Sequence, residues 1–176
     1  GTADAVIDAP LVVGDIANEA LVEQVCRDHD VDTIVHFAAY KNVGESMQHP
    51  AKYFHNNVDN TVHLLEAARR AGVGQFVFSS SCSVYGTPAQ VPVDEQQAIH
   101  PESAYAETKA MVERVLHWYG EVHGVRSVSL RYFNAAGASE RCGEVHDPET
   151  HLIPLVLRAA AGTGPELTVF GDDYPT

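Results

Sequence analysis

The chain alternates short apolar runs with segments of helical period, and this alternation limits the fold more than any other feature of the sequence. The runs Leu11–Val13, Ile34–Phe37, Phe76–Phe78 and Val128–Leu130 are largely apolar at successive positions, which is typical of strands buried on both faces. With a helix between each pair of runs, the predicted order is βαβαβαβ. This order indicates an α/β fold with a doubly wound parallel sheet, whose ligands bind beyond the carboxyl ends of the strands.

The segments between the runs carry signals of helix ends as well as helical spacing. Asn18 is a candidate N-cap for the first helix. A second helix is predicted over about Ala51–Ala71, where Gly72 ends the apolar stripe. A third helix is predicted to follow Ser103, because apolar residues recur there at helical spacing.

After Tyr132 the sequence changes to turns, prolines and charged residues, which predicts a looser second region. Within it we expect one short helix near Pro154–Ala161 and one strand near Leu167–Phe170. The chain is therefore expected to contain one domain over residues 1–133 and the beginning of another over residues 134–176.

Charge and cysteine content exclude several classes of protein. The chain has 24 acidic and 11 basic residues, a formal net charge of −13, so it would repel nucleic-acid backbones and anionic lipids. No stretch approaches the roughly 20 apolar residues of a membrane span, and Gly1–Pro10 lacks the basic and apolar regions of a signal peptide. The chain has three cysteines at wide spacings, Cys26, Cys82 and Cys142. An odd number at such spacings indicates reduced thiols and a cytoplasmic protein.

Ten histidines raise the question of a metal site, and His146 with His151 is the best candidate pair. Their spacing differs from that of a zinc-binding HExxH helix, and Pro148 interrupts any helix that could bring both imidazoles to one face. We therefore expect no bound metal.

Tyr105 and Lys109 lie four residues apart at the start of a predicted helix, and therefore on one face of it. A lysine ammonium one turn away is expected to favour the phenolate, which would let Tyr105 act as a base. Ser81 follows a predicted strand, at the end where ligands bind. Each feature alone also fits an exposed tyrosine beside a solvated lysine, or serines that form turns. Together they fit a site in which a serine and a tyrosine bind one reacting hydroxyl.

Several short motifs, in order, resemble those of the extended short-chain dehydrogenase/reductases, and within them the UDP-glucose 4-epimerases. The motifs are Gly14–Ile16, His36–Ala39, Lys41–Ser46, Asn56–Val58, Ser79–Ser81, Arg131–Asn134 and Phe170–Thr176. The resemblance implies a Rossmann-like NAD-binding domain followed by a UDP-sugar-binding domain. It also implies epimerisation at C4 of a UDP-hexose in galactose and nucleotide-sugar metabolism.

The same resemblance assigns roles to individual residues. Tyr105 is expected to be the base for the sugar 4-hydroxyl, Lys109 its electrostatic partner and a ligand of the nicotinamide ribose, and Ser81 a second contact of that hydroxyl. Further NAD contacts are implied at Asp15, Ile16, Phe37, Ala38, Ala39, Tyr40, Lys41, Asn56 and Phe133. Further substrate contacts are implied at Asn134, His151, Leu152, Thr168, Val169 and Phe170.

Most of these cofactor positions also have a simpler explanation. Phe37 and Ala38 would be apolar strand ends in any α/β fold, Asp15 could cap the following helix, and Asn56 could be an exposed helix residue. Lys41 differs, because a cation between polar turns of a very acidic chain is more easily explained by an anionic ligand.

One element of a Rossmann-type cofactor site is missing from the sequence: the Gly-rich turn that binds the pyrophosphate. The resemblance implies a middle segment of the family's chain, which alone should neither bind NAD tightly nor epimerise a sugar. It also implies a homodimer formed through the helices near Ala51–Ala71 and Ala104–Gly120. Two alternatives remain open: an epimerase of UDP-pentoses or UDP-N-acetylhexosamines, and a non-catalytic NAD-binding regulatory protein.

Overall fold

The computed structural model describes residues 9–140, 143, 149, 151–169 and 171–172. These residues belong to two compact units, one within Val6–Phe133 and one within Asn134–Thr176. No helix among the described residues combines the length and the apolar character that crossing a bilayer requires.

The first unit consists of helices that alternate with the strands of a parallel sheet. In chain order its elements are α1 (Glu19–Asp28), β1 (Thr33–His36), α2 (Val43–Gln48), α3 (Pro50–Tyr53), a π-helical segment (Phe54–Asp59), α4 (Asn60–Ala71), β2 (Gln75–Ser81), a 3-10 turn (Cys82–Tyr85), α5 (Ala104–His123) and β3 (Arg126–Tyr132). The three strands pair in the order β1–β2–β3, and both pairs are parallel. The predicted α/β fold with a parallel sheet is confirmed. The second unit contains α6 (Leu152–Ala160).

The core lies between the sheet and the helices α4 and α5. Its buried cluster comprises Leu64, Leu65, Phe76, Phe78, Val112 and Leu116, and Ile34 packs against it from β1. On the opposite face, Val35 pairs with Val77, and Val77 with Val128, in one row across the sheet. Val35 and Val128 are about half exposed. In the described chain, therefore, β1 and β3 are covered on one face only, whereas burial on both faces was expected.

The helix ends follow the local sequence. The predicted N-cap is confirmed: Asn18 Oδ1 accepts a hydrogen bond from the Leu21 N–H at 3.2 Å. Ser103 caps α5 in the same way, accepting from the Ala106 N–H at 3.1 Å. Gly72 follows α4 with a φ of 87°, a left-handed conformation that glycine adopts without strain.

Two predicted strands are absent from the described residues. Leu11–Val13 is irregular, and Val13 is largely exposed. A strand needs a neighbour to take up its backbone hydrogen bonds, and none of the described strands pairs with this run. Leu167–Val169 is irregular for the same reason, and Phe170 lies outside the described residues.

The helix predicted over Ala51–Ala71 is wrong as a single α-helix, because the π-helical segment separates α3 from α4. Such a segment adds a residue to one turn and rotates the side chains that follow, and it is frequent at functional sites. Apolar spacing alone does not reveal it, since Val58 within the segment and Leu65 after it both pack at the core cluster.

The π-helical segment buries Asn57, whose side chain joins three parts of the fold. Its Oδ1 accepts from the Tyr40 N–H at 2.9 Å, and its Nδ2 donates to the Tyr40 carbonyl at 3.0 Å. Nδ2 also lies 3.2 Å from the Thr108 hydroxyl, which itself donates to the Tyr105 carbonyl. Asn57 thus ties the loop after β1 to the first turns of α5.

We expect the substitution Asn57→Ala to lower the free energy of unfolding by about 2 kcal/mol, because the Tyr40 peptide and the Thr108 hydroxyl lose their partner. Urea unfolding measures this loss. Asn56→Ala is the matched control: its described hydrogen bond goes to Asn57 Oδ1, and its removal should cost less than about 1 kcal/mol. Equal losses for the two variants would contradict the role given to Asn57.

Candidate active site

The carboxyl ends of the three strands meet at one edge of the sheet, because all three run parallel. Ser81 ends β2 and lies opposite Tyr132, the last residue of β3. Phe37 and Phe133 follow β1 and β3 directly, and each is more than half exposed. The structure therefore brings the predicted residues Phe37, Ser81 and Phe133 to the same edge.

Tyr105 and Lys109 face this edge from the first turns of α5. The position of α5 is fixed by Ser46, which is fully buried. The Ser46 hydroxyl donates to the Val43 carbonyl at 2.6 Å and accepts from the Tyr105 N–H at 3.1 Å. The sequence placed Ser46 in a family motif without a role, and the structure shows that it holds α2 against the start of α5.

Lys109 is buried, with 4% of its surface exposed. Its Nζ donates to the Ser79 carbonyl at 2.7 Å and lies 4.8 Å from the centroid of the Phe78 ring. The same atom is 5.8 Å from the centroid of the Tyr105 ring. Burial disfavours the charged ammonium and lowers the pKa of Lys109 to about 8.

The pKa of Tyr105 is raised in this structure, so its phenol is a weaker acid than that of a free tyrosine. Burial is the largest influence and raises the pKa of Tyr105, while its hydrogen-bonding interaction with the Ser81 hydroxyl lowers that pKa by less. Lys109 is not among the groups that shift the pKa of Tyr105 here, so its role in favouring the phenolate stays a prediction. The Lys109 ammonium is directed at the Ser79 carbonyl and is itself desolvated.

A partly buried ion pair fixes the end of β2 against its neighbours. Glu113, one turn beyond Lys109 on α5, accepts from Arg131 of β3 at 2.6 Å and from the Ser80 hydroxyl at 2.5 Å. Arg131 also donates to the Tyr85 hydroxyl at 2.9 Å. This contact joins α5, β2, β3 and the 3-10 turn. Glu113 was not identified from the sequence, because a lone glutamate on a helix usually faces solvent.

His36 at the end of β1 was placed in a family motif without a role of its own. Its Nε2 lies 3.0 Å from the Thr61 hydroxyl oxygen, and that hydroxyl donates to the Asn57 carbonyl. Thr61 must therefore accept from His36, which is a neutral Nε2–H tautomer. Burial lowers the pKa of His36 to about 4, and the charge of Lys109 acts in the same direction. His36 is thus a structural group that stays neutral near pH 7.

The other predicted NAD contacts are distributed over two loops and the π-helical segment. Asp15 Oδ1 accepts from the Ala17 N–H at 2.9 Å and so stabilises the turn before α1, but it does not cap the helix, since the cap is Asn18. Ile16 packs against the core cluster, and Asn56 bonds to Asn57. The remaining four, Ala38, Ala39, Tyr40 and Lys41, belong to the loop after β1 that Asn57 anchors.

The predicted substrate contacts lie in the second unit. His151 precedes α6, and both its Nδ1 and its backbone N–H bond to Glu149 Oε1, at 2.8 and 2.9 Å. Leu152 begins α6 and is 72% exposed. Asn134, Thr168 and Val169 are exposed as well. Phe170 and His146 lie outside the described residues.

We expect the buried Lys109 to make stability rise with pH. Between pH 8 and pH 10.5, the unfolded chain holds a proton that the folded chain has released, so the free energy of unfolding increases across this window. Lys109→Met should remove at most about 3 kcal/mol of that rise. Urea unfolding at several pH values measures it. Lys52→Met, at an exposed lysine paired with Glu45, is the control. Equal pH slopes for wild type and Lys109→Met would contradict the assignment.

Comparison with known proteins agrees with this geometry. The family described as "NAD dependent epimerase/dehydratase family" matches residues 2–176. UDP-glucose 4-epimerase from Halalkalibacterium halodurans is 44% identical over 178 residues, which cover 100% of this chain and 53% of that protein.

Two solved structures show the same fold. UDP-glucose 4-epimerase from Brucella ovis in complex with NAD superposes with a TM-score of 0.95 at 44% identity, covering 100% of this chain and 55% of that one. The enzyme from Stenotrophomonas maltophila, with bound NAD and formylated UDP-arabinopyranose, gives a TM-score of 0.88 at 40% identity, covering 96% and 52%. The chain spans about half the length of the relatives it matches. It belongs to the NAD-dependent epimerase/dehydratase family, as a homologue of the UDP-glucose 4-epimerases.

Proposed function

We propose that this chain supplies the catalytic residues of a UDP-glucose 4-epimerase, which interconverts UDP-glucose and UDP-galactose with NAD. The observation that carries the proposal is the joint placement of three side chains at one sheet edge. The Ser81 hydroxyl interacts with the Tyr105 phenol, and Lys109 lies against the Tyr105 ring while bonded to the end of β2. A protein that only binds NAD has no need of all three.

In this mechanism Tyr105 removes the proton of the sugar 4-hydroxyl and later returns it, and Ser81 donates a hydrogen bond to the same oxygen. NAD, when bound, would supply a reversible acceptor for the hydride at C4 of the sugar. Because Tyr105 is desolvated, a positive charge placed beside it would lower its pKa strongly. The pKa of the proposed base Tyr105 would therefore depend on whether a positively charged cofactor is bound beside it.

The residues at the sheet edge fit the nicotinamide end of NAD. Lys109 has three N–H donors, one of which is committed to the Ser79 carbonyl, so two can reach ribose hydroxyls. Phe37 and Phe133 offer exposed aromatic surface on either side. We assign the remaining NAD contacts to Asp15, Ile16, Asn56 and the loop 38–41, within an NAD-binding domain over residues 1–133.

The substrate is proposed to be a UDP-hexose held by the second region, residues 134–176. Asn134, His151, Leu152, Thr168, Val169 and Phe170 are the proposed contacts. The exposed Leu152 supports this assignment, because nucleotide-binding pockets combine apolar surface with a few polar groups. The Stenotrophomonas relative holds a UDP-sugar, which supports the substrate class.

A homodimer and a cytoplasmic location complete the proposal. The helical region 51–71 and α5 are the proposed dimer contacts, and Trp118 of α5 is 63% exposed, as an interface aromatic would be before association. The free thiols Cys26 and Cys82 suit a reducing compartment.

A chimera tests the activity: this chain replaces the matching half of the Halalkalibacterium halodurans enzyme. We expect the chimera to epimerise UDP-galactose, and Tyr105→Phe to lower kcat by roughly 10² to 10⁴ with bound NAD unchanged, because a positioned base is lost. Ser81→Ala should have a milder effect. Tyr119→Phe is the matched control on the same helix, since its hydroxyl bonds to Glu66. An inactive chimera that retains NAD, or full activity of Tyr105→Phe, would contradict the proposal.

The 176-residue chain by itself should bind NAD weakly, because its sequence contains no Gly-rich turn to bind the pyrophosphate. Calorimetric titration of the purified, monodisperse chain measures the affinity, and turnover of UDP-galactose measures activity. We expect neither tight binding nor turnover. A micromolar dissociation constant would show that the pyrophosphate is bound by other groups of these residues.

A further inference from the structure

The 3-10 turn after β2 places a second serine against Ser81. The Ser83 hydroxyl lies 2.9 Å from Ser81 Oγ, and the Ser83 N–H points to the same oxygen at 3.2 Å. Both serines are only partly exposed. One residue therefore directs two hydrogen-bonding groups at the hydroxyl that the proposed mechanism uses.

These two contacts determine where the Ser81 proton points. A serine hydroxyl donates once and accepts twice. The Ser83 N–H can only donate, so it occupies one acceptor site of Ser81 Oγ. The Ser83 hydroxyl donates to the other. The one hydrogen-bonding group of the Ser81 hydroxyl that is not yet used is its own O–H, which can donate to a third group.

Two groups near Ser81 can accept that proton. One is the Tyr105 phenol oxygen, and the other is the Cys82 thiol. A phenol oxygen, and still more a phenolate, is a stronger acceptor than a thiol sulfur. If Ser81 instead donated to Ser83, its only proton would be used in that bond, and Tyr105 would have no hydrogen-bond donor.

We propose that Ser83 is a positioning residue, which orients the Ser81 hydroxyl so that it donates to Tyr105 or to the sugar 4-oxygen. The inference rests on the proposed epimerase site and deepens it. Ser83 does not touch the reacting atoms in this proposal and acts through Ser81. Its loss leaves the backbone N–H contact in place, so Ser81 keeps its position and loses its preferred orientation.

The test measures kcat, KM and the pH dependence of kcat in the chimera. Ser83→Ala is expected to lower kcat roughly 3- to 10-fold, which corresponds to weakening one hydrogen bond between neutral groups. KM and bound NAD should be unchanged. The acidic limb of the kcat profile should move to higher pH, because the phenolate loses its donor. Ser83→Thr keeps the hydroxyl and should restore kcat. Thr87→Ala, whose hydroxyl bonds to Glu102 on the surface, should match the parent.

A double-mutant cycle separates this role from a direct contact with the sugar. If Ser83 acts through Ser81, adding Ser83→Ala to Ser81→Ala should cause no further loss. Losses that multiply, or a Ser83→Ala variant equal to the parent, would overturn the inference. Failure of the epimerase proposal looks different, because the parent chimera would then be inactive while retaining NAD, or Tyr105→Phe would be fully active. Urea unfolding of each variant identifies losses of activity that are due to misfolding. If Ser83→Ala misfolds, the activity of Ser83→Thr, which keeps the hydroxyl, decides whether Ser83 positions Ser81.

Discussion

The parallel alignment of β1, β2 and β3 is the constraint on which the rest of the site depends. Because the strands run in one direction, Phe37, Ser81 and Phe133 emerge at the same edge of the sheet. Only one end of α5 can lie at this edge, and it is the end that carries Tyr105 and Lys109. The bond from Lys109 to the Ser79 carbonyl then fixes the helix to the strand at 2.7 Å. A small shift of β2 would thus move the serine and the lysine together.

Polar contacts rather than apolar packing define the geometry near this edge. Ser46 holds the start of α5, Asn57 holds the loop after β1, and Glu113 with Arg131 holds the ends of β2 and β3. Buried polar groups cost stability unless they are bonded, so such contacts restrict the chain to one arrangement more tightly than apolar packing does. The lowered pKa of Lys109 and the raised pKa of Tyr105 belong to the same arrangement, since burial is the main cause of both.

The sequence predicted those features of the fold that depend on interactions between residues close in the chain. The β2 core strand, the Asn18 cap and the position of Tyr105 and Lys109 on one helix face follow from spacing and residue type. The Leu11–Val13 strand was wrong because strand formation depends on a partner that spacing does not reveal. Asn57 was missed because a π-helical turn leaves the apolar stripe intact. Ser83 was missed for a related reason: serines after a strand usually form turns, and only the distance to Ser81 distinguishes it.

The side-chain geometry at this sheet edge arises within the first compact unit. The contacts that position Ser81, Tyr105 and Lys109 all lie within the first compact unit, between Tyr40 and Arg131. None of them involves a pyrophosphate-binding turn, which the sequence does not contain. The contacts between Ser81 and Ser83 and the low pKa of Lys109 therefore follow from the fold of this unit. In the proposed site, a positive charge bound beside the half-buried Tyr105 would lower the pKa of its phenol.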